Sequence, residues 1–147
     1  MNKIEKAITF FNQGHNCAQA VLKAYGTQYG LDEDLAFKIS SSLGGGLARS
    51  GNTCGAVTGA LMVIGLRYRD LNVEDQESKE LAYEAGENFI EKFRSVNGTI
   101  KCKELLNCDI STLEGREKAT MNNVFEDLCP KFVKSAAEIL ETILKIK

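Results

Sequence analysis

The sequence contains very little proline, histidine or tryptophan. Its 147 residues include one proline, one histidine and no tryptophan. Because proline breaks the interior of a helix, a chain with a single proline can form long helices. The single histidine, His15, excludes a zinc finger built from two cysteines and two histidines. These absences favour a helical chain whose chemistry depends on residues other than histidine.

The sequence also lacks a strong charge of either sign and any long hydrophobic run. The formal net charge of −2 does not provide the basic surface that nucleic acid requires, so we expect no nucleic-acid partner. The longest uncharged, mostly apolar run, residues 53–66, is too short to cross a bilayer. The first ten residues, MNKIEKAITF, are interrupted by charges and lack a cleavage site. We therefore expect no membrane insertion and a cytoplasmic protein.

The composition is that of a folded domain. Hydrophobic residues make up 44% of the chain and charged residues 26%, and the length is that of one domain. No segment alternates strictly between apolar and polar residues, and neither a linker nor a repeat is evident. The sequence thus predicts a single domain, residues 1–147, of the all-α class, folded as a bundle of about six to eight helices.

Apolar residues recur at helical spacing between candidate capping residues and glycines. Asn16, Asp32 and Thr99 are candidate N-caps. The predicted helices cover residues 3–13, 17–29, 33–43, 54–69, 74–96, 99–106 and, after a polar connection, two further helices within 116–147. We expect the break between the last two near Cys129, because Pro130 follows it.

The five cysteines are the most informative residues. An odd number of cysteines in a chain without an export signal argues against a disulfide framework. The sequence contains no Cys-x-x-Cys, which argues against a thioredoxin-like site and against covalent haem attachment. The remaining interpretations are buried structural cysteines, redox-active thiols and metal ligands.

Four of the cysteines lie at or near predicted helix N-termini. These four are Cys17, Cys54, Cys102 and Cys129. The partial positive charge and unpaired N–H groups of a helix N-terminus stabilise a thiolate, which is the form that attacks disulfides and binds metals. Cys108 differs, because it lies past the C-terminal end of its predicted helix and should be dispensable. The alternative interpretation is that the cysteines serve only as small buried hydrophobic residues.

The segment between residues 44 and 60 is rich in glycine. No Gly-Lys-Ser/Thr follows the triple glycine at 44–46, so no phosphate-binding P-loop is present. Gly55 and Gly59 are four residues apart, which favours close packing of another helix. We interpret Arg49 as a solvated residue, with a positive charge near Cys54 as the alternative. The glycine strip and the apolar content also suggest a homodimer.

The same cysteines carry a resemblance that covers nearly the whole chain. Cys17 lies in Asn-Cys-Ala-Gln-Ala-Val, Cys54 in Cys-Gly-Ala-Val-Thr-Gly, Cys102 in Cys-Lys-Glu-Leu-Leu and Cys129 in Cys-Pro-Lys-Phe-Val. Together these blocks resemble the C_GCAxxG_C_C family, which is described as redox-active. The family label writes the central block as Gly-Cys-Ala, whereas here its first two residues are Cys-Gly. A similar domain occurs at the N-terminus of split-Soret cytochromes, where four cysteines suit an iron–sulfur cluster.

The resemblance implies a redox protein in which Cys17, Cys54, Cys102 and Cys129 converge. It favours an iron–sulfur cluster of the two-iron (2Fe–2S) type and electron transfer to an unidentified redox partner. The alternatives are thiol–disulfide exchange by two pairs of redox-active thiols, a structural zinc site and a helical partner-binding domain without catalysis. The spacings of 37, 48 and 27 residues do not decide between a cluster and zinc. Whether the protein is an enzyme stays open.

Overall fold

A computed structural model describes residues 1–69 and 74–146. Within these ranges the chain forms eight α-helices and one short 3₁₀ turn. The helices are α1 (Lys3–Asn12), α2 (Cys17–Gly26), α3 (Glu33–Ile39), α4 (Gly55–Arg69), α5 (Asp75–Asn97), α6 (Cys102–Leu106), α7 (Leu113–Met121) and α8 (Val124–Leu144), with the 3₁₀ turn at Thr27–Tyr29. The prediction of an all-α helical bundle is confirmed.

Capping residues set most of the helix starts. Asn2 and Asn16 each form a reciprocal capping box, with Glu5 and Gln19 respectively, and the Asp32 carboxylate accepts from the Leu35 N–H. Such side chains satisfy N–H groups that have no partner inside the helix. Two of the predicted caps, Asn16 and Asp32, therefore begin helices as expected.

Thr99 is not the cap that the sequence predicted. Helix α6 begins at Cys102, and the residue before it, Lys101, makes no side-chain capping bond. The Thr99 hydroxyl instead accepts from the Lys101 N–H and donates to the Glu104 carboxylate. The predicted helix over 99–106 is consequently shorter at its start.

The predicted break near Cys129 and Pro130 is wrong. The chain breaks at Asn123, whose φ of 54° is left-handed, and Pro130 lies inside α8. Asparagine adopts this conformation more readily than most residues. Apolar residues of α8 are packed on both sides of the proline. Val124, Phe125 and Leu128, before it, pack against the smaller cluster of buried residues that contains Cys129. The buried residues after it are Val133, Ala136, Ala137, Ile139, Leu140 and Leu144. Packing of both segments favours a continuous helix and outweighs the cost of proline, roughly 3 kcal/mol.

Two other predicted boundaries also moved. Helix α3 ends at Ile39 rather than at residue 43, and α7 already begins at Leu113, inside the predicted polar connection. The predicted end of the last helix, Lys147, lies outside the described residues. In the part of the chain that is described, the only β pairing is an isolated bridge between Thr53 and Lys101.

Helices α2 and α4 pack against each other at the centre, and α8 packs across α1, α4 and α5. The main core contains the fully buried Tyr25, Phe89 and Phe93. A second, smaller cluster joins α6, α7 and the start of α8. None of the helices that can be described is both long and apolar enough to cross a membrane.

The glycine strip of α4 explains the close approach of α2. A methyl group on Gly59 would lie 2.8 Å from the Ala18 carbonyl oxygen, and one on Gly55 would lie 2.9 Å from the Ala18 nitrogen. The predicted close helix packing is thus present within the chain. The strip is covered by α2 and does not provide a dimer surface, so the homodimer stays a prediction without that support.

Candidate redox site

The two hydrophobic clusters meet at the four cysteines singled out by the sequence. Cys54 belongs to the main core, and Cys102 and Cys129 belong to the smaller cluster. Cys17 is half-buried and packs against both clusters. All four line one recess of about 220 Å³. We call it the cysteine recess.

Cys17 is the first residue of α2, and the capping residue before it fixes its position. The Asn16 side chain accepts from the Gln19 N–H at 2.8 Å. Its amide nitrogen donates to the carbonyls of Ser40 and Ser41, at 3.2 and 3.1 Å. One asparagine therefore both begins the helix and ties it to the loop that follows α3.

Cys54 and Cys102 are brought together by paired backbone segments. The Cys54 N–H donates to the Ile100 carbonyl at 2.8 Å, and the Cys102 N–H donates to the Asn52 carbonyl at 2.6 Å. The bridge between Thr53 and Lys101 lies between these bonds. As a result the starts of α4 and α6 lie side by side, each with a cysteine.

A left-handed loop closes over this pair. Residues 45–49 all have positive φ, between 51° and 70°, although three of them are not glycine: Leu47, Ala48 and Arg49. A left-handed conformation costs such residues roughly 1–2 kcal/mol each. The loop is held by backbone bonds such as Asn52 N–H to the Gly46 carbonyl, 2.8 Å. Gly46 approaches Cys102 so closely that a methyl group there would lie 2.5 Å from the Cys102 Cβ.

Cys129 reaches the recess from the second turn of α8. The expectation that all four cysteines lie at helix N-termini therefore holds for Cys17, Cys54 and Cys102 but is wrong for Cys129. The physical reason is that α8 begins at Val124, after the left-handed Asn123, and packs against the smaller cluster from its first turn.

The walls of the recess are apolar. They include Phe11, Leu105, Leu106, Phe125 and Phe132. No carboxylate and no imidazole lines the recess in the described part of the chain. Sequence reasoning did not identify these residues, although helical spacing offered a signal for most of them. Phe125 lies four residues before Cys129, and Phe132 lies three residues after it. Leu105 and Leu106 lie three and four residues after Cys102.

The thiols differ in how readily they ionise. A hydrogen bond from the Cys17 thiol lowers the pKa of Cys54 most, and the N–H groups of Ala56 and Val57 lower it further, against the effect of burial. The hydrogen bonds that Cys17 shares with Cys129 and Cys54 raise the pKa of Cys17, as does burial. Burial, with the nearby Cys54 and Cys129, raises the pKa of Cys102 to about 12. Cys54 is therefore the thiol that ionises first among these three.

Cys108 lies elsewhere. It follows Asn107, the left-handed residue that ends α6, and its thiol donates to the Gly115 carbonyl at 3.4 Å. It faces a separate pocket beside α7. The structure therefore places Cys108 outside the group of four.

Across residues 1–69 and 74–146, no three histidine, cysteine, aspartate or glutamate side chains are arranged to hold a single metal ion. A structural zinc ion needs four ligands around one centre. A two-iron cluster spreads four thiolates over two irons, so each iron needs only a pair. The all-sulfur donor set and the apolar walls are compatible with such a cluster.

A helical fold that brings four cysteines to one apolar recess has the composition of a candidate thiol-based site. Comparison with protein families agrees: residues 15–143 match the family described as "Putative redox-active protein (C_GCAxxG_C_C)". The chain belongs to this family. No curated protein and no solved structure matches it.

Proposed function

We propose that Cys17, Cys54, Cys102 and Cys129 hold a two-iron iron–sulfur cluster and that the protein transfers electrons. The observation that carries the proposal is the convergence of four thiols, from four separate segments, on one apolar recess. The recess leaves about 220 Å³ of empty space beside the four thiols, enough for a group much larger than one water. One water needs only about 10–15 Å³ of such space.

The chain contributes more than ligands to this proposed centre. The cluster, when bound, supplies one-electron transfer. The backbone N–H groups of Ala56 and Val57 at the start of α4 lower the pKa of Cys54, so they would stabilise negative charge on this ligand and favour the reduced state. The apolar walls limit the access of water, and the half-buried Cys17 marks the side from which a partner can approach.

A second candidate, thiol–disulfide exchange, is favoured by the position of Cys17 and Cys54 in the same recess and by the lowered pKa of Cys54. The Cys54 thiolate would attack one sulfur of an external disulfide and release the other sulfur as a thiolate. Cys17, after losing its proton to solvent, would then attack the Cys54 sulfur. This step forms the Cys17–Cys54 disulfide and releases the second thiolate, so that one disulfide is reduced and two thiols are oxidised.

Anaerobic purification separates these candidates. We expect iron and acid-labile sulfide in equal amounts, with a visible spectrum that Cys54→Ser abolishes and Cys108→Ser preserves. If the protein contains neither iron nor sulfide, even after reconstitution with both, the cluster proposal is refuted. Reversible loss of two free thiols on mild oxidation would then support exchange, whereas a stoichiometric zinc ion would refute both redox proposals.

A further inference from the structure

A second pocket adjoins the cysteine recess. It has a volume of about 410 Å³, and it shares Asn16, Gly45 and Phe125 with the recess. Pockets for small molecules commonly have volumes of about 300–1,000 Å³. A molecule seated in this second pocket would therefore be separated from the cysteine recess only by the residues that line both, and no cysteine lines the second pocket itself.

Two arginines give this second pocket its chemistry, and we call it the arginine pocket. Arg49 and Arg116 line it together with Ser41 and Ser42, and no carboxylate lines it in the described ranges. Neither arginine belongs to an ion pair within residues 1–69 and 74–146. Guanidinium groups bind carboxylates and phosphates through paired hydrogen bonds.

The fold holds the side chain of Arg116 and the backbone of the exposed Arg49 in place. One guanidinium nitrogen of Arg116 donates to the Ile110 carbonyl at 3.1 Å, which leaves its other N–H groups for a ligand. Arg49 ends the left-handed run, and its N–H donates to the Gly44 carbonyl at 3.1 Å. The loop that closes over Cys102 therefore also presents Arg49.

We propose that the arginine pocket binds the carboxylate or phosphate group of a small molecule that accepts electrons from the reduced site, so that the molecule is reduced as the site is oxidised. This inference rests on the proposed redox function, because it names the class of molecule served by that site. The pocket would hold the anionic end while the reactive end faces Asn16, Gly45 and Phe125, the residues that also line the recess.

Calorimetric titration of the full chain, purified without oxygen and at low ionic strength, tests the binding. The probe is benzene-1,3-dicarboxylate, and the neutral diamide of the same shape is its control. We expect the dicarboxylate to bind saturably and the diamide not to bind. Arg49→Gln and Arg116→Gln should each weaken it by about threefold to fivefold, as loss of an exposed charge pair does. Arg49→Lys should keep part of the affinity, and the matched control Arg94→Gln, on the exposed side of α5, should change nothing.

The proposal is overturned if the dicarboxylate does not bind, if the diamide binds equally well, or if Arg94→Gln weakens binding as much as Arg49→Gln. A second measurement distinguishes failure of the pocket proposal from failure of the redox proposal. The reduced, metal-free Cys108→Ser chain, which lacks the half-buried thiol outside the recess, is treated with a dianionic aromatic disulfide, 5,5′-dithiobis(2-nitrobenzoate), and with neutral 2,2′-dithiodipyridine. Dicarboxylate binding with thiols inert to both disulfides would refute exchange but support the pocket. Thiols that react equally fast with both, without dicarboxylate binding, would support exchange and refute the pocket.

Discussion

The contact between α2 and α4 depends on the absence of a side chain at Gly59. Replacement of this glycine by alanine would place a methyl carbon 2.8 Å from the Ala18 carbonyl oxygen and 3.3 Å from the Val21 Cβ. The first distance is too short for a carbon atom, and the contacted oxygen belongs to the backbone. Relief of the clash therefore requires α2 to move away from α4.

Gly65 provides a matched control in the same helix. A methyl group there meets nothing within 4 Å, so Gly65→Ala changes only the conformational freedom of the backbone. It should stabilise the protein by about 0.5–1 kcal/mol, since alanine favours a helix more than glycine does. Gly59→Ala gains the same amount but also overpacks the core, which costs about 1–3 kcal/mol. The difference between the variants should therefore be about 1–3 kcal/mol, with Gly59→Ala the less stable.

The assay is urea unfolding at 25 °C, followed by far-ultraviolet circular dichroism in the presence of a reductant. The free energies of unfolding of the two variants are compared with each other and with the unaltered chain. Equal stability of Gly59→Ala and Gly65→Ala would refute the reasoning, because it would mean that the two helices do not approach as closely as the structure shows.

Three further predictions follow from the site and the core. Cys108→Ser should leave metal content and redox activity nearly intact, whereas Cys54→Ser should abolish them; equal damage would mean that Cys108 belongs to the site. In the reduced, metal-free protein, iodoacetamide should label Cys54 before Cys102 at pH 8, although the two are similarly buried, at 3% and 8% exposed. The lowered pKa leaves Cys54 more ionised at this pH, whereas the pKa of about 12 keeps Cys102 protonated. For the same reason, labelling of Cys102 should still increase as the pH is raised above 9. Peptide mass spectrometry that finds Cys102 labelled first would contradict this order. Tyr25→Phe should destabilise the fold by roughly 1.5 kcal/mol, because the buried hydroxyl donates to the Glu141 carboxylate at 2.5 Å. Urea unfolding measures this loss of stability. The control variant Tyr83→Phe should have nearly the stability of the unaltered chain, because Tyr83 is 60% exposed.

Local sequence signals predicted the helices well where one residue type controls a boundary. Asn16 and Asp32 begin α2 and α3, because their side chains accept from N–H groups of the first turn. The signal at Pro130 misled, since proline opposes a helix locally while packing on both sides of it, from Val124 to Leu144, favours one. A preference at one position could not be weighed against burial along the whole helix without the partner helices.

The candidate site was predicted as a set of residues rather than as an arrangement. Cysteine count and position selected Cys17, Cys54, Cys102 and Cys129, and the fold brings them to one recess. Two features of the arrangement depend on contacts between distant segments, and the local sequence does not show these contacts. One is the left-handed run that ends at Arg49, which backbone bonds impose on residues that do not favour it. The other is Phe11, which lies in α1 and reaches the recess only through packing.

The convergence of cysteines from positions 17 to 129 also couples the chemistry of the site to the folding equilibrium. No fragment that lacks either end of this span contains the complete set. A bond between Cys17 and Cys54 would close a loop of 37 residues, and the lost entropy of the unfolded chain would correspond to about 4 kcal/mol. By thermodynamic linkage, folding would favour that bond by the same free energy. A change in the oxidation state of the cysteines, or in the occupancy of the recess by a cluster, would then change the resistance of the protein to unfolding and to proteolysis.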